Sequence, residues 1–306
     1  MLNVRYKTAE SEIARVYVAE LQDGSPIEFV ESVQPPFSRE EKWVLIVSTL
    51  KGCPVGCPIC DAGGFYRGRL SGEEIFGQID YLIKSRFPDG AVPVPKLKIQ
   101  FARMGEPAFN SAVIDVLREL PTRYQIPGLL PSISTVAPHG CDDFFEQLLE
   151  VKEELYGEGK FQMQFSLHST DSAVRRRLVP IKTWSFEKMG QYGDRFFRPG
   201  DRKITLNFAP AMGVPLEPAA LLPYFSPDRF LVKLTPINPT RKSAEAGLEA
   251  LIDPEDAATC ERVREGFERQ GYDTILSIGE LSENRIGSNC GMYISRVSQS
   301  DTRVAS

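Results

Sequence analysis

Cys53, Cys57 and Cys60 are the residues whose types and spacing most directly imply chemistry. They stand as Cys-x3-Cys-x2-Cys in the run Gly52-Cys53-Pro54-Val55-Gly56-Cys57-Pro58-Ile59-Cys60. Glycine and proline make this a tight loop, on which three thiolates can face one point. Thiolates suit iron–sulfur clusters and zinc alike. A structural zinc wants four protein ligands, and the loop contains no fourth Cys or His, so zinc would need a remote partner such as His139, Cys141 or Cys290. A four-iron cluster held by three thiolates instead leaves one iron open to a further ligand.

The elements that must hold this loop can be read from hydrophobic periodicity. Trp43 to Leu50, Leu97 to Ala102, Pro131 to Val136, Phe161 to Leu167, Ile204 to Phe208 and Phe230 to Leu234 read as strands. Between them lie amphipathic stretches. Ser71-Gly72-Glu73-Glu74 followed by Ile75, Ile79, Leu82 and Ile83 carries a capping box at its start. Asn110 to Leu120, Asp142 to Leu155, Glu187 to Phe196 and Pro254 to Gln270 are further helix candidates. Alternating strands and helices with short connections imply parallel strands joined by right-handed crossovers. The expected fold is α/β, a partial TIM-type (β/α)6 barrel, in which chemistry gathers where strands end. The unusual residues fall there: Cys53 after the first strand, Gly105-Glu106-Pro107 after the second, Ser134 in the third, Ser166 and His168 at the fourth and Asn238 after the sixth.

Before the barrel, Asp23-Gly24 separates Val16 to Leu21 from Pro26 to Val30 and predicts a small N-terminal β-hairpin. The expected organisation is therefore a hairpin extension over 1–42, a barrel with its C-terminal segment over 43–297, and a polar tail over 298–306.

Bulk properties narrow the function classes. The 306 residues, 42% hydrophobic and 25% charged, suffice for one catalytic domain. No apolar run approaches the length of a membrane span, and Met1 to Lys7 lacks the apolar core of a secretory signal. The expectation is a cytoplasmic protein with reduced cysteines and no membrane partner. A net charge of -5 argues against a nucleic-acid substrate, since proteins that grip phosphates usually carry a basic excess. Arg175-Arg176-Arg177 reads as a solvated helix face.

Read together, the motifs from about Ala14 to Ile294 resemble the radical S-adenosylmethionine (SAM) adenine methyltransferases of ribosomal RNA, the RlmN and Cfr enzymes. The matching blocks are Ile27-Glu28-Phe29-Val30, the cysteine loop, Met104-Gly105-Glu106-Pro107, Ser132-Ile133-Ser134, Phe165-Ser166-Leu167-His168, Leu178-Val179-Pro180-Ile181, Pro236-Ile237-Asn238-Pro239 and Asn289-Cys290-Gly291. The resemblance implies a radical SAM barrel with a 4Fe-4S cluster on Cys53, Cys57 and Cys60 and SAM on its open iron. It implies that Gly105 and Glu106 bind the SAM amino group. Ser134, the Ser166, Leu167 and His168 segment and Asn238 would hold the carboxylate, ribose and adenine. Cys290 would accept a methyl group from one SAM and lose hydrogen to a radical made from a second, and Glu28 would act as a base. An electron donor such as flavodoxin or ferredoxin is implied as a partner.

The resemblance has gaps. Where the family has a second cysteine that releases the product, this chain has Ile46, and Ile59 replaces a residue that is commonly aromatic. About 42 residues precede the first barrel strand, fewer than the family's RNA-associated accessory domain needs. These departures, with the acidic balance, lead to the expectation of methyl or methylene transfer through Cys290 to an unsaturated carbon of a small molecule or peptide. The alternatives are an rRNA or tRNA adenine C-methyltransferase, a radical SAM enzyme in which Cys290 only donates a hydrogen atom, and a zinc-loop binding protein without catalysis.

Overall fold

The computed structural model describes residues 2–8, 13–253, 255–277 and Ile294. The chain divides into two compact units, one of Met1–Gly56, Cys60–Ile133 and Ser282–Ser306, the other of Cys57–Ile59 and Ser134–Leu281.

In the first unit β1 (Asn3–Lys7), β2 (Ala14–Glu20), β3 (Pro26–Val33) and β4 (Trp43–Val47) pair antiparallel in that order. The expected hairpin strands are thus present, preceded by a third strand, and they share a sheet with β4. The run Trp43 to Leu50, expected as one strand, is interrupted after Val47. Gln78 takes the ladder's place there: its Oε1 accepts from the Ser48 N–H at 2.8 Å and its Nε2 donates to the Ser48 carbonyl at 3.0 Å. Beyond the break, β5 (Leu50–Gly52) pairs antiparallel with β6 (Tyr66–Arg69) in a separate small sheet.

α1 (Gly72–Arg86) starts at the predicted capping box: Ser71 Oγ accepts from the Glu74 N–H at 3.2 Å and the Glu74 carboxylate accepts from the Ser71 N–H at 2.8 Å. Glu73 and Glu74 in its first turn and Lys84 and Arg86 in its last complement the helix dipole. β4 then runs parallel to β7 (Leu97–Phe101), and β7 to β8 (Leu129–Thr135), with α2 (Ala112–Arg123) between the last two in sequence. Strand alternation sorts the faces. Leu97, Ile99 and Phe101 are fully buried, whereas Val30, Ile46, Gln100 and Ser132 form an in-register row across the opposite face.

The second unit contains α3 (Asp142–Leu155), β9 (Gln162–Ser166), α4 (Ser172–Leu178), α5 (Phe186–Phe196), β10 (Ile204–Phe208), β11 (Phe230–Leu234), α6 (Arg241–Glu245), α7 (Ala257–Glu268) and β12 (Thr274–Leu276). β9, β10, β11 and β12 are parallel neighbours in that order. Phe165, Phe208, Phe230, Val232 and Leu234 fill one face, while Ser166, Asn207 and Lys233 align on the other. Among the described residues no helix is long and apolar enough to cross a membrane. The tail from Ser298 lies outside the described residues.

Candidate active site

In the first unit the cysteine loop is entered through Gly52, whose φ of +87° and crowding require glycine: a Cβ there would lie 1.9 Å from the Phe65 carbonyl oxygen. The Cys53 N–H donates to that same oxygen at 3.0 Å. Cys53 and Cys60 are half-buried and pack, with Phe65, against Val18, Ala62, Met104 and Ile294. Burial pushes the Cys53 thiol up to about 11, with the Glu106 carboxylate adding to the rise and backbone N–H groups of Val55, Gly56 and Glu106 at the sulfur opposing it. Such N–H donors suit a sulfur that carries negative charge, as a metal-bound thiolate does. Cys57, Pro58 and Ile59 belong to the second unit, where Ile59 packs against Ala209, Ala211 and Ile237.

Among the described residues no three His, Cys, Asp or Glu side chains are placed to hold a single metal ion. A four-iron cluster takes one thiolate on each of three irons, so the donor set on this loop fits the cluster.

The Met104-Gly105-Glu106 turn is locked to the loop stem by a dense set of bonds. The Met104 carbonyl accepts from the N–H groups of Thr49 at 2.8 Å and Leu50 at 3.1 Å, and the Met104 N–H donates to Ser48 Oγ at 3.2 Å. Gly105, at φ +98°, presses on Leu50 so closely that a Cβ would meet it at 2.5 Å. This contact, absent from any sequence signal except the glycine itself, brings Glu106 beside Cys53. Glu106 is buried and its Oε1 caps the following 3-10 turn (Pro107–Phe109) by accepting from the Ala108 N–H at 3.1 Å.

Sequence reasoning missed Asn110, which is 2% exposed. Its Nδ2 donates to the carbonyls of Thr49 at 2.8 Å and Leu70 at 2.7 Å, clamping the residues on either side of the loop and β5–β6. Asn110→Leu keeps the branched shape but removes both donated bonds. It is expected to cost about 2–3 kcal/mol of stability and to lower iron incorporation, checked by denaturant titration and metal analysis of the same preparation.

Glu28 does not face solvent. It is fully buried, and Oε1 lies 2.9 Å from a terminal nitrogen of the equally buried Arg103. Its backbone N–H meets the Met104 sulfur at 3.3 Å, so the pair adjoins the same turn. A second buried carboxylate, Glu31, was not anticipated. It accepts from the Tyr17 hydroxyl at 2.6 Å, from Trp43 Nε1 at 3.2 Å and from Arg86 at 2.7 and 3.0 Å. These partners hold its carboxyl below the usual range despite burial, and its role is to tie β2, β3, β4 and α1 together. Ile46 sits among Ile13, Ala14, Val16 and Val30, an aliphatic setting without a nucleophile.

In the second unit the expected residues gather at the ends of parallel strands. Ser134 is half-buried at the end of β8, Ser166 ends β9, Leu167 is buried, and Asn238 follows β11 with its carbonyl accepting from the Thr240 N–H at 2.7 Å and Ser243 Oγ at 3.0 Å. His168 has a φ of +63°, a region that few non-glycine residues occupy and that often marks a functional constraint. Its Nδ1 accepts from the Ala209 N–H at 3.2 Å, which leaves the ring proton on Nε2. Asn207 was not anticipated: its Oδ1 accepts from Thr235 Oγ1 at 3.2 Å beside Ser166. Arg175, expected on a solvated face, is instead 3% exposed and donates to the carbonyls of Val136 at 2.8 Å and Ser166 at 3.2 Å; Arg176 and Arg177 are exposed.

Burial, and after it the Arg175 charge, pull His168 down to about 4, so the folded protein holds it neutral where an unfolded chain protonates it at about 6.5. The folded state binds fewer protons between those values. Its stability is therefore complete above pH 6.5 and falls as pH drops toward 4. The contribution lost by pH 5 is about 2 kcal/mol. His168→Asn, which tolerates a positive φ, should flatten that pH dependence in denaturant titrations at pH 7 and pH 5.

Cys290 lies outside the described residues. Cys141 precedes α3, and the buried Cys260 thiol donates to the Asp253 carbonyl at 3.1 Å.

Parallel strands joined through helices make this a mixed α/β fold. A crystal structure of a radical SAM methyltransferase from Sphaerobacter thermophilus matches it with a TM-score of 0.73 at 19% identity, over 95% of this chain and 80% of that one. No family model matches the sequence. The chain is 28% identical over 232 residues to a protein of Desulfitobacterium hafniense (strain DSM 10664 / DCB-2) named a probable dual-specificity RNA methyltransferase RlmN, covering 74% of this chain and 62% of that protein. A protein of the same name from Frankia casuarinae is 29% identical over 304 residues, 94% of this chain and 68% of its own length. The chain is thus similar to several proteins named RlmN at 25–29% identity, and it spans less than two thirds of the length of some of them.

Proposed function

We propose that this protein is a radical SAM enzyme that holds a 4Fe-4S cluster on Cys53, Cys57 and Cys60 and transfers a methyl or methylene group through Cys290 to an unsaturated carbon. The observation that carries the reading is the locking of the Met104-Gly105-Glu106 turn to the stem of the cysteine loop. When bound, the cluster and SAM supply an electron, a methyl group and a 5′-deoxyadenosyl radical. The chain's own part is to hold and to shield. Glu106 offers a buried carboxylate to a cationic amine. Ser134, Ser166, His168 and Asn238 offer neutral polar groups suited to a carboxylate, sugar hydroxyls and a base. The apolar packing of Val18, Ala62, Phe65, Met104 and Ile294 around Cys53 and Cys60 excludes water. Ile294 belongs to that packing.

The net charge of -5 and the aliphatic surroundings of Ile46 favour a small molecule or peptide as the methyl acceptor. An RNA adenine is the second reading, favoured by the RNA methyltransferase names of the relatives. Methyl-labelled SAM supplied with total RNA, and separately with a protein-free cell extract, distinguishes them by where the label goes.

Glu106→Gln keeps the side-chain oxygen that caps the 3-10 turn and removes only the charge. SAM affinity is expected to fall roughly 10- to 100-fold, with iron and sulfide content unchanged. Unchanged affinity by equilibrium binding would reduce Gly105-Glu106-Pro107 to a structural turn.

A further inference from the structure

The proposed reaction needs one electron from outside the molecule at each SAM cleavage, and the first surface strand beyond the cysteine loop is β6. Its partner β5 leads directly into Cys53, with Leu50 opposite Arg69 and Gly52 opposite Tyr66. Tyr66 is 46% exposed, and Arg67 and Arg69 are exposed beside it. Between the arginines, Gly68 has a φ of +124° and open space where a Cβ would be, so nothing hems in the strand there.

Many surface cations are paired with a carboxylate. Arg5 is paired with Glu20, Arg123 with Glu73, Arg198 with Glu153, Lys203 with Asp273 and Arg229 with Asp194. Arg67 and Arg69 have no carboxylate partner among the described residues. An exposed tyrosine followed by two exposed arginines on one short strand has the composition of an interface centre, where Arg and Tyr are enriched.

We infer that β6 is the docking surface for a small acidic one-electron carrier protein, with Tyr66 as the desolvated anchor and Arg67 and Arg69 facing carboxylates. The inference rests on the cluster reading above. The chain is itself acidic, at -5, so an acidic carrier is repelled overall and needs a local positive patch to be steered in. Redox encounters are also small, burying less than about 1,200 Å², a scale that a short strand and its rim can supply. An RNA strand fits less well: nucleic-acid sites commonly neutralise about 6–10 phosphates, and β6 offers two cations. In the step itself the carrier loses one electron and the cluster gains one, with no atom or proton exchanged.

The test compares the full-length wild type with the Arg67→Glu/Arg69→Glu double variant and a Arg67→Lys/Arg69→Lys control, using oxidised flavodoxin as the probe. Wild type and the lysine control should bind it at low salt, and the glutamate variant should bind about tenfold or more weakly, a difference that shrinks at high salt. After cluster reconstitution, 5′-deoxyadenosine formation driven by reduced flavodoxin should fall in the glutamate variant, while that driven by dithionite stays unchanged. Equal flavodoxin binding by wild type and glutamate variant overturns the inference, as does absence of binding by wild type. Loss of dithionite-driven activity assigns the arginines to the reaction site and also overturns it. Selective loss of binding to a short single-stranded RNA, with flavodoxin binding intact, reassigns the strand to nucleic acid. A reconstituted wild type without iron and sulfide would instead defeat the cluster reading and leave the flavodoxin binding comparison to judge β6 by itself.

Discussion

Cys57→Ala is expected to give a folded protein that holds no four-iron cluster and forms no 5′-deoxyadenosine from SAM, and Cys53→Ala and Cys60→Ala the same. The cysteine-to-alanine change removes one iron's only protein ligand. The fold has little stake in these thiols, because all three are half-buried on a loop. The loop stem is secured independently, by the Met104 carbonyl and the Asn110 amide. Circular dichroism should therefore match wild type while iron, sulfide and reductive cleavage are lost together. Stoichiometric zinc without sulfide in anaerobically purified wild type would overturn the cluster and restore the zinc loop.

What the sequence revealed and what it hid follow from the range of the forces involved. The strands at Leu97, Ile204 and Phe230 were legible because burial on one face imposes alternation that any window detects. α1 was legible because its capping box is written in four adjacent residues. β5 and β6 were not, because Gly63, Gly64 and Gly68 dilute the pattern and the pairing is set by the cysteine loop they bracket. The same holds for the site. Gly105 and Glu106 announce themselves as a motif, but nothing local to Asn110 shows that its amide spans Thr49 and Leu70, which lie 61 and 40 positions away. Arg175 shows the opposite error. Composition suggested a solvated run of three arginines, while tertiary carbonyls at Val136 and Ser166 captured one of them.

Cys290→Ala is expected to abolish methyl transfer while leaving the cluster and SAM binding intact, since the proposed cluster ligands are Cys53, Cys57 and Cys60 and the proposed amine ligand is Glu106. In wild type, mass spectrometry of the Cys290 peptide after SAM addition should show one added methyl group. Deuterium placed on that methyl should then appear in the 5′-deoxyadenosine formed from a second SAM. Release of the product is the next step. A thioether joining Cys290 to its substrate needs a nucleophile for release, and Ile46 supplies none. Its neighbours Ile13, Ala14, Val16 and Val30 are equally inert. The adduct should therefore accumulate unless the acceptor's own functional groups release it. Ile46→Cys restores one thiol to β4 and removes two methyl-sized groups from an aliphatic cluster, at a cost of about 1–2 kcal/mol. If release limits turnover, the variant should turn over faster and form a disulfide between Cys290 and the new cysteine, detectable by non-reducing peptide mapping. A fully active Cys290→Ala enzyme with no methyl on the wild-type peptide would overturn transfer through Cys290 and point to direct hydrogen abstraction from the substrate.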